Sequence, residues 1–394
     1  FPLHADKTGR AGNEDAYVSI SDIKLDRVKS NNEVLNYKHP YEETLDVAIK
    51  KYEAIAAAGG WGVIKKGRVL YPEKDTIDSR VPQIRRRLAL TGDLDKSLLN
   101  NDETYDIKVS EAVKSFQGRH GLKVDGIVGK QSIYAMNVSV NKRLETMRLN
   151  LQRAKILSKR MKTYPGNRYC LVNIPDFMVS LVDVESTTKK GEHKIKHKIP
   201  VIVGKPDKAT PEFSYKIEYM SVNPYWYVPD SIAKDELIPS LKTNPKLAEE
   251  KGFEIISKSS GQLIDPKKIN WANHNTSTIR IRQAPGPKNP LGKYIFKFPN
   301  RYGVYMHDTT NKRLFKRSRR TFSHGCIRVQ YPETIVRWLF PDYEISKKED
   351  SDPSNLKQKK VNLDSPVPIH IIYMTAVPNE RGQIRFIRDV YQKD

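Results

Sequence analysis

The sequence contains few cysteines and no long apolar run. Cys170 and Cys326 are the only two cysteines among 394 residues, which excludes a disulfide-rich scaffold and the paired Cys and His spacing of a zinc site. No run of about 18 apolar residues occurs, so no membrane-spanning segment is expected. The first residues, Phe1 to His4, show neither a basic segment nor an apolar one. The pattern therefore predicts no signal peptide or anchor within this chain.

Acidic residues are also much fewer than basic residues. The chain has 69 Lys and Arg against 46 Asp and Glu, for a formal net charge of +23. Such an excess is typical of proteins that meet a polyanion, although it can serve solubility alone. The basic residues are spread along the chain, and the densest cluster, Lys312 to Arg320, lies beside the reactive motif described below. This placement favours an anionic substrate, and no nucleic-acid partner is expected.

The first part of the chain has helical periodicity. Apolar residues at helical spacing predict one helix over 43–58 and a longer one over 144–161, and these are expected to pack together. Three short helices are predicted between them, in a compact module over 76–138. The flanking residues 1–75 and 139–166 are therefore interpreted as a helical scaffold that carries the module, although residues 1–40 contain few signals.

After residue 166 the periodicity becomes that of strands. Many short strands without alternating helices predict a mostly antiparallel β sandwich or barrel-like core over 167–394. An insert at 224–274, with proline and glycine breaks, interrupts this core. It is either a lid over a site or an insertion without a functional role. The polar stretch Ser346 to Lys360 predicts a solvated loop. The fold class is α+β multidomain.

The clearest chemical signal lies in residues 305–329. Cys326 follows Gly325, which allows a tight turn that presents the sulfur and leaves backbone N–H groups unpaired. His307 and His324 are both candidates for the base that takes the thiol proton, and spacing alone does not choose between them. Asp308 is a candidate carboxylate partner for a histidine or for an arginine of the same loop.

The remaining cysteine and histidines carry weaker signals. Cys170 lies in an apolar strand and is predicted to be a small buried side chain. His193 and His197 alternate with lysines, which predicts solvated positions. No partner is predicted for four further histidines, His39, His120, His274 and His370.

The order Ser323-His324-Gly325-Cys326-Ile327-Arg328, with His307 upstream, resembles the signature of YkuD-type L,D-transpeptidases. Further stretches carry the resemblance, namely Arg168–Pro175, Asn223–Pro229, Pro285–Asn289 and Val304–Thr309. Together they are similar to the large YcbB-like subfamily, whose substrate-capping insert corresponds to 224–274. Residues Ala112–Gln117 and Asp125–Gly129 resemble a peptidoglycan-binding three-helix module. The alternative is a helical spacer that has lost its ligand.

The resemblance implies roles for the residues around the cysteine. Cys326 would be the nucleophile and His307 its base, with the backbone carbonyl of Asp308 orienting the imidazole. Backbone N–H groups around His324, Gly325 and Cys326 would hold the oxyanion. His324 would line the pocket and is the second candidate base.

The resemblance also implies roles for residues that meet the substrate. Tyr305 would add a hydroxyl donor to the oxyanion site. Arg328 would hold the site or bind a substrate carboxylate, with membership of a structural ion pair as the alternative. Ser323 is expected to contact substrate. Trp226 and Tyr225 would line the cleft or anchor the hinge of the capping insert.

The implied activity is formation of 3→3 peptidoglycan crosslinks by an L,D-transpeptidase through a thioester of Cys326. The donor would be a tetrapeptide stem that releases D-Ala. Alternatives are L,D-carboxypeptidase or endopeptidase activity, exchange with a D-amino acid or a lipoprotein, and a non-enzymatic wall-binding or polyanion-binding protein. The expected partners are peptidoglycan stem peptides and carbapenem inhibitors, without a metal or organic cofactor. The expected location is the periplasm or cell envelope.

Overall fold

The computed structural model describes residues 38–72, 76–185, 192–273, 275–345 and 356–394. Most of the weakly patterned N-terminal region, His274 and most of the predicted solvated loop at 346–360 lie outside these ranges. Within them, no helix is both long and apolar enough to cross a membrane.

The N-terminal half is helical. Its elements are α1 (Pro40–Ala57), β1 (Thr76–Ile77), α2 (Val81–Thr91), β2 (Thr104–Tyr105), α3 (Ile107–Arg119), α4 (Lys130–Asn137) and α5 (Val140–Thr163). His39 caps α1, and its side chain accepts the N–H of Tyr41, so this helix begins earlier than the periodicity indicated. Leu45 and Ile49 of α1 pack with Leu144 and Met147 of α5 in one apolar cluster, which confirms the predicted pairing.

The three helices between α1 and α5 have a core of their own, formed by residues such as Leu88, Val113, Phe116 and Ile133. The side chain of Gln117 ties this module to its glycine turn. It donates to Asp125 Oδ1 and to the carbonyl of Ile127, and it accepts the N–H groups of Asp125 and Gly126. Gly126 has φ +71°, a conformation that favours glycine. This bonding explains why the turn sequence reads as a motif.

The C-terminal half is built from strands. They are β3 (Arg168–Asn173), β4 (Met178–Glu185), β5 (Glu192–Gly204), β6 (Phe213–Val222), β7 (Trp226–Tyr227), β8 (Phe253–Ser257), β9 (Leu263–Ile264), β10 (Ile279–Gln283), β11 (Tyr294–Lys297), β12 (Met306–His307), β13 (Thr321–Ser323), β14 (Ile327–Val329), β15 (Lys359–Ile372), β16 (Ala376–Pro378) and β17 (Ile384–Phe386). The helices are α6 (Asp230–Ile232), α7 (Ile238–Thr243), α8 (Leu247–Lys251) and α9 (Pro332–Leu339).

Nine of these strands form one sheet, in the order β13-β5-β14-β12-β11-β6-β15-β3-β4. Because β4 also pairs with β5, eight of them close into a barrel-like ring rather than two separate layers. Three pairings are parallel (β12 with β14, β13 with β5, β15 with β3), and the others are antiparallel. The predicted β-rich, mostly antiparallel core is therefore confirmed. Cys170 is buried in this core, as predicted.

The first residues of one strand were predicted to be a loop. β15 begins at Lys359, so the end of the polar stretch predicted to be a loop is a strand paired with β6. Its first residues are mostly exposed, and their polar side chains conceal the strand pattern.

The insert at 224–274 folds around its own apolar cluster, which includes Leu241, Ile255, Trp271 and Ile281. Strands β7, β10, β8 and β9 form its four-stranded sheet, so the folded unit continues through β10 to Gln283. A π-helical turn, Ala233–Leu237, joins α6 to α7 immediately before Pro239. We refer to residues 226–283 as the cap.

Two predictions about histidines are wrong or incomplete. His193, predicted to be solvated, is half-buried and bonds through Nδ1 to the hydroxyl of Tyr169, 2.7 Å away. The same hydroxyl lies 3.1 Å from Nε2 of His39. His370 is buried with Nδ1 2.8 Å from the Ser214 hydroxyl. Neighbouring strands and helices supplied these partners, which local sequence does not show.

Candidate active site

The strand register brings the central candidate residues to one face of the sheet. Strands β12 and β14 are parallel, with Met306 opposite Ile327 and His307 opposite Arg328. Met306 and Ile327 are fully buried in the core. Because successive side chains alternate between faces, Tyr305, His307, Cys326 and Arg328 share the other face. The rings of Tyr305 and His307 lie 5.5 Å apart.

His307 is a buried and neutral imidazole. Its Nδ1 donates to the backbone carbonyl oxygen of Asp308 at 2.5 Å, the arrangement that the resemblance implied. This bond places the proton on Nδ1 and leaves Nε2 as the basic nitrogen. Burial, helped by the nearby charge of Arg328, lowers the pKa of His307 to about 3, and the carbonyls of Asp308 and Leu291 only partly oppose this. The ring is therefore unprotonated and able to accept a proton.

Cys326 rests as a thiol. Burial raises the pKa of Cys326, while hydrogen bonds from the backbone and hydroxyl of Tyr305 and the charges of Lys297 and Arg328 oppose the rise. Lys297 lies 4.0 Å above the ring of Tyr305. The surroundings thus favour thiolate formation electrostatically, although burial keeps the resting sulfur protonated.

The loop before Cys326 is braced from behind. Thr210, which is buried, donates from Oγ1 to the carbonyl of Gly325 at 2.8 Å and accepts the N–H of Gly204 at 2.9 Å. In a trans peptide the N–H points opposite to the C=O, so the N–H of Cys326 is directed away from Thr210. No acceptor within the described residues takes this N–H. It is therefore an unpaired donor beside the thiol.

Two of the predicted contacts in this loop need correction. Ser323 was expected to contact substrate, but its buried hydroxyl donates to the carbonyl of Cys326 at 2.5 Å. The same oxygen accepts the N–H of Gly325 at 3.2 Å, which removes that N–H from the predicted oxyanion donors. Gly325 has φ +115°, so its contribution is the backbone turn itself.

Among the described residues, the carboxylate of Asp308 pairs with neither a histidine nor an arginine. It accepts the backbone N–H of Lys293 at 2.9 Å and the ammonium of Lys312 at 2.5 Å. Gly292 leaves room for this carboxylate, because a β carbon at that position would collide with it. Asp308 therefore fixes the turn beside the site, and its backbone carbonyl serves His307.

His324 points toward the cap. Its Nε2 lies 2.6 Å from Oε1 of Glu236 in the π-helical turn, so the geometry does not support it as the base for Cys326. The neighbouring Asp235 lies 3.7 Å from Nζ of Lys208, in the loop that braces Gly325. These two contacts join the cap to residues 323–326, which we call the nucleophile loop, and to the loop at 205–210 that braces it.

Arg328 has no carboxylate partner among the described residues, and its Nε is buried without a hydrogen-bond partner. The ion-pair alternative therefore receives no support from the described part of the chain. A partly buried guanidinium on the same face as the thiol is consistent with the binding of a substrate anion.

The two aromatic candidates in the insert lie at the base of the cap. Trp226 is part of β7 and packs against Phe253, with ring centroids 6.2 Å apart. The ring of Tyr225 lies 4.4 Å beneath the guanidinium of Arg282. Both side chains contact the cap itself, which favours the anchoring alternative over the cleft alternative.

Three residues of this site were missed by the sequence analysis, namely Lys297, Thr210 and Glu236. Lys297 follows Phe296 in β11, and Phe296 pairs with the buried Met306 of β12. Because side chains alternate along a strand, Lys297 lies on the opposite face, and this alternation was the one signal that pointed to it. The other two come from distant segments. Within the described residues, no three His, Cys, Asp or Glu side chains gather in a way that could hold a metal ion.

Comparisons with known proteins assign two parts of the chain to domain families. Residues 167–362 match the L,D-transpeptidase catalytic domain of the YkuD family, and residues 78–136 match a putative peptidoglycan-binding domain. A putative L,D-transpeptidase of Haemophilus influenzae is 31% identical over 196 residues, which cover 49% of this chain and 40% of that protein. The chain thus spans less than half the length of this relative.

Two solved structures also align with about half of the chain. An L,D-transpeptidase from Mycobacterium smegmatis is 13% identical, with 52% of this chain and 58% of that chain covered and a TM-score of 0.25. LD transpeptidase LdtMt1 in complex with imipenem is 16% identical, with 52% and 59% covered and a TM-score of 0.24. Superposition is poor at these scores, so the assignment rests on the matched domains and the relative. The catalytic half of this chain belongs to the YkuD family of L,D-transpeptidase catalytic domains, and a peptidoglycan-binding domain precedes it.

Proposed function

We propose that this protein is a cysteine L,D-transpeptidase that forms 3→3 crosslinks between peptidoglycan stems. The observation that carries the proposal is the shared face of Cys326, His307, Tyr305 and Arg328, with the free N–H of Cys326 beside the sulfur. Nucleophile, neutral base, oxyanion donor and anion-binding guanidinium are the parts that acyl transfer requires.

In the first half-reaction, Cys326 attacks the carbonyl between the third residue and the terminal D-Ala of a tetrapeptide stem. His307 takes the thiol proton as the sulfur–carbon bond forms, because both groups are neutral at rest. The N–H of Cys326 and the hydroxyl of Tyr305 stabilise the oxyanion. His307 then returns the proton to the departing amine of D-Ala, which leaves a thioester on Cys326.

In the second half-reaction, the side-chain amine of another stem attacks the thioester and releases the thiol. Arg328 is positioned to bind a stem carboxylate in both steps. The cap, which Glu236 and Asp235 join to the nucleophile loop and to its bracing loop, would exclude water and so favour the amine over hydrolysis. The assignment to the YcbB-like subfamily remains part of this proposal.

The remaining partners follow from the same substrate. The peptidoglycan-binding domain at 78–136 would hold the enzyme on the wall, and carbapenems would acylate Cys326 as substrate mimics. Because stem peptides are cell-wall components, the proposed place of action is the periplasm or cell envelope.

The test is intact mass after incubation with imipenem, with wild type beside Cys326→Ala. We expect a single covalent adduct on the wild type and none on the variant. A second assay with purified tetrapeptide stems should then give crosslinked dimers. Absence of the adduct, or release of tripeptide without dimers, would contradict acylation or transpeptidation respectively.

A further inference from the structure

The cap meets the nucleophile loop through charged side chains of one short turn. Glu236 and Asp235 are successive residues of the π-helical turn, and each pairs with a different segment of the catalytic half. Glu236 bonds to His324 at 2.6 Å and Asp235 lies 3.7 Å from Lys208. The Glu236–His324 bond joins residues 88 positions apart, two residues from the nucleophile. Irregular π turns often occur at functional positions.

The two histidines of the site differ in their access to solvent. His307 is 4% exposed and serves the thiol. The side chain of His324 is 23% exposed, and that of Glu236 is 51% exposed. The hydrogen bond from His324 lowers the pKa of Glu236, and the charges of Lys205 and Lys208 add to this. Glu236 is therefore a carboxylate that fixes a proton on Nε2 of His324 and leaves Nδ1 as the basic nitrogen.

The acceptor step requires a second base. A stem side-chain amine is an ammonium at neutral pH, because amines of this type have a pKa of about 10.4. It must lose one proton before it can attack and another after the carbon–nitrogen bond forms. His307 holds one proton at a time and is needed for the second one, which returns to the sulfur, so the first proton goes to another acceptor. A second histidine at the solvent-exposed edge supplies the missing acceptor.

We propose that His324, oriented and charge-balanced by Glu236 of the cap, takes the proton of the incoming acceptor ammonium. The inference rests on the proposed transpeptidation and assigns Glu236 as a positioning residue. The acceptor first transfers one proton to Nδ1 of His324 and becomes a neutral amine. The amine nitrogen then bonds to the thioester carbon, the carbon–sulfur bond breaks, and the second amine proton passes through His307 to the sulfur. His324 afterwards releases its proton to water.

The test compares Glu236→Gln with wild type in the full-length protein. Glutamine keeps an oxygen that can accept from Nε2 but removes the negative charge that stabilises the protonated imidazole. We expect dimer formation from tetrapeptide stems at pH 7 to fall by about tenfold, less than the roughly 10²–10⁴-fold contribution of a general base, because the variant keeps the imidazole of His324. The imipenem acylation rate should stay within about twofold, since proton transfer from Cys326 does not use His324.

The pH profile separates proton transfer from cap closure. The Glu236→Gln defect should shrink toward pH 9, because more of the acceptor amine is then already neutral. Asp235→Asn is the matched control, since it removes the other cap contact from the same turn and should keep a wild-type pH profile for dimer formation.

Three outcomes would overturn the inference. They are unchanged dimer formation in Glu236→Gln, an equal loss of acylation and dimer formation, and a loss in Asp235→Asn that matches that of Glu236→Gln at every pH. Wild type that fails to form the imipenem adduct would instead contradict the proposed function, so the two failures are distinguishable.

Discussion

At the scale of single residues, the two cysteines show how environment determines thiol chemistry. Burial in the sheet core raises the pKa of Cys170 to about 12, and among the described residues only the charge of Arg168 opposes the rise. Burial also raises the pKa of Cys326, but Tyr305, Lys297 and Arg328 act against the rise, and its side chain is reachable from solvent. We therefore expect Cys170 to be inert and Cys326 to be the reactive thiol.

This contrast predicts the thiol reactivity of the folded protein. Iodoacetamide at neutral pH should modify one thiol in native wild type and none in native Cys326→Ala. In urea, where Cys170 becomes accessible, wild type should gain two labels and the variant one. Peptide mass spectrometry would identify the sites. Rapid native labelling of Cys170 would contradict its placement in the core.

The residues of the site were predictable to the extent that they lie in one contiguous motif. Gly325, Cys326 and His307 could be singled out because a glycine turn, a thiol and nearby imidazoles occur within residues 305–329. Thr210 could not, since its bond to Gly325 spans 115 residues and a threonine between strands carries no local signal. Ser323 does lie inside the motif, but its predicted contact with substrate was wrong because the sequence does not show that its hydroxyl faces inward.

At the scale of elements, prediction succeeded where apolar residues recur at a regular spacing and failed where strands are polar or pair over long range. The packing of α1 with α5 was predicted because apolar residues recur at helical spacing in both. The start of β15 was missed because Lys359 and Lys360 pair with β6 while remaining exposed. The cap also needed tertiary information, since Phe253–Ser257 pairs along its length with the distant β10.

One buried side chain anchors the cap to the sheet. Asn289 donates from Nδ2 to the carbonyls of Pro224 and Ala284, at 2.8 and 3.1 Å, and accepts the N–H of Leu291 at 2.9 Å. It thereby joins the points where the chain enters and leaves the cap. Replacing Asn289 with alanine leaves buried carbonyls unpaired, which costs about 1–3 kcal/mol.

Asn289→Ala should therefore loosen the cap without unfolding the sheet. We expect hydrogen exchange of amides in residues 226–283 to accelerate by about tenfold or more, since about 1.4 kcal/mol corresponds to a factor of ten. Amides of β3 and β15 should be unaffected. Asn379→Ala is the matched control, because Asn379 accepts N–H groups in the distant β16–β17 hairpin. Equal acceleration in the cap and in the sheet would refute a specific anchoring role.

At the scale of the whole molecule, buried histidines join the helical scaffold to the catalytic half. His39 precedes α1, its Nε2 bonds to Tyr169 of β3, and its ring lies 5.2 Å from that of His193 in β5. His370 of β15 packs 5.6 Å from the ring of Tyr169. Burial lowers the pKa of His39 well below its usual value, and that of His370 to about 3. The junction therefore accommodates neutral imidazoles and resists their protonation.

This junction should make the fold sensitive to mild acid. An unfolded histidine has a pKa of about 6.5, so above that pH neither state binds the proton and the histidines contribute no pH dependence. Below that pH the unfolded chain binds protons at His39, His307 and His370, whereas the folded protein keeps these buried imidazoles neutral. The free energy of unfolding therefore falls as pH falls, by up to about 1.4 kcal/mol per pH unit for each histidine. Urea midpoints should decline between pH 6.5 and 5, before the carboxylates titrate. His370→Gln should flatten that decline, whereas exposed His197→Gln should not. A midpoint constant across this range would contradict the buried neutral junction.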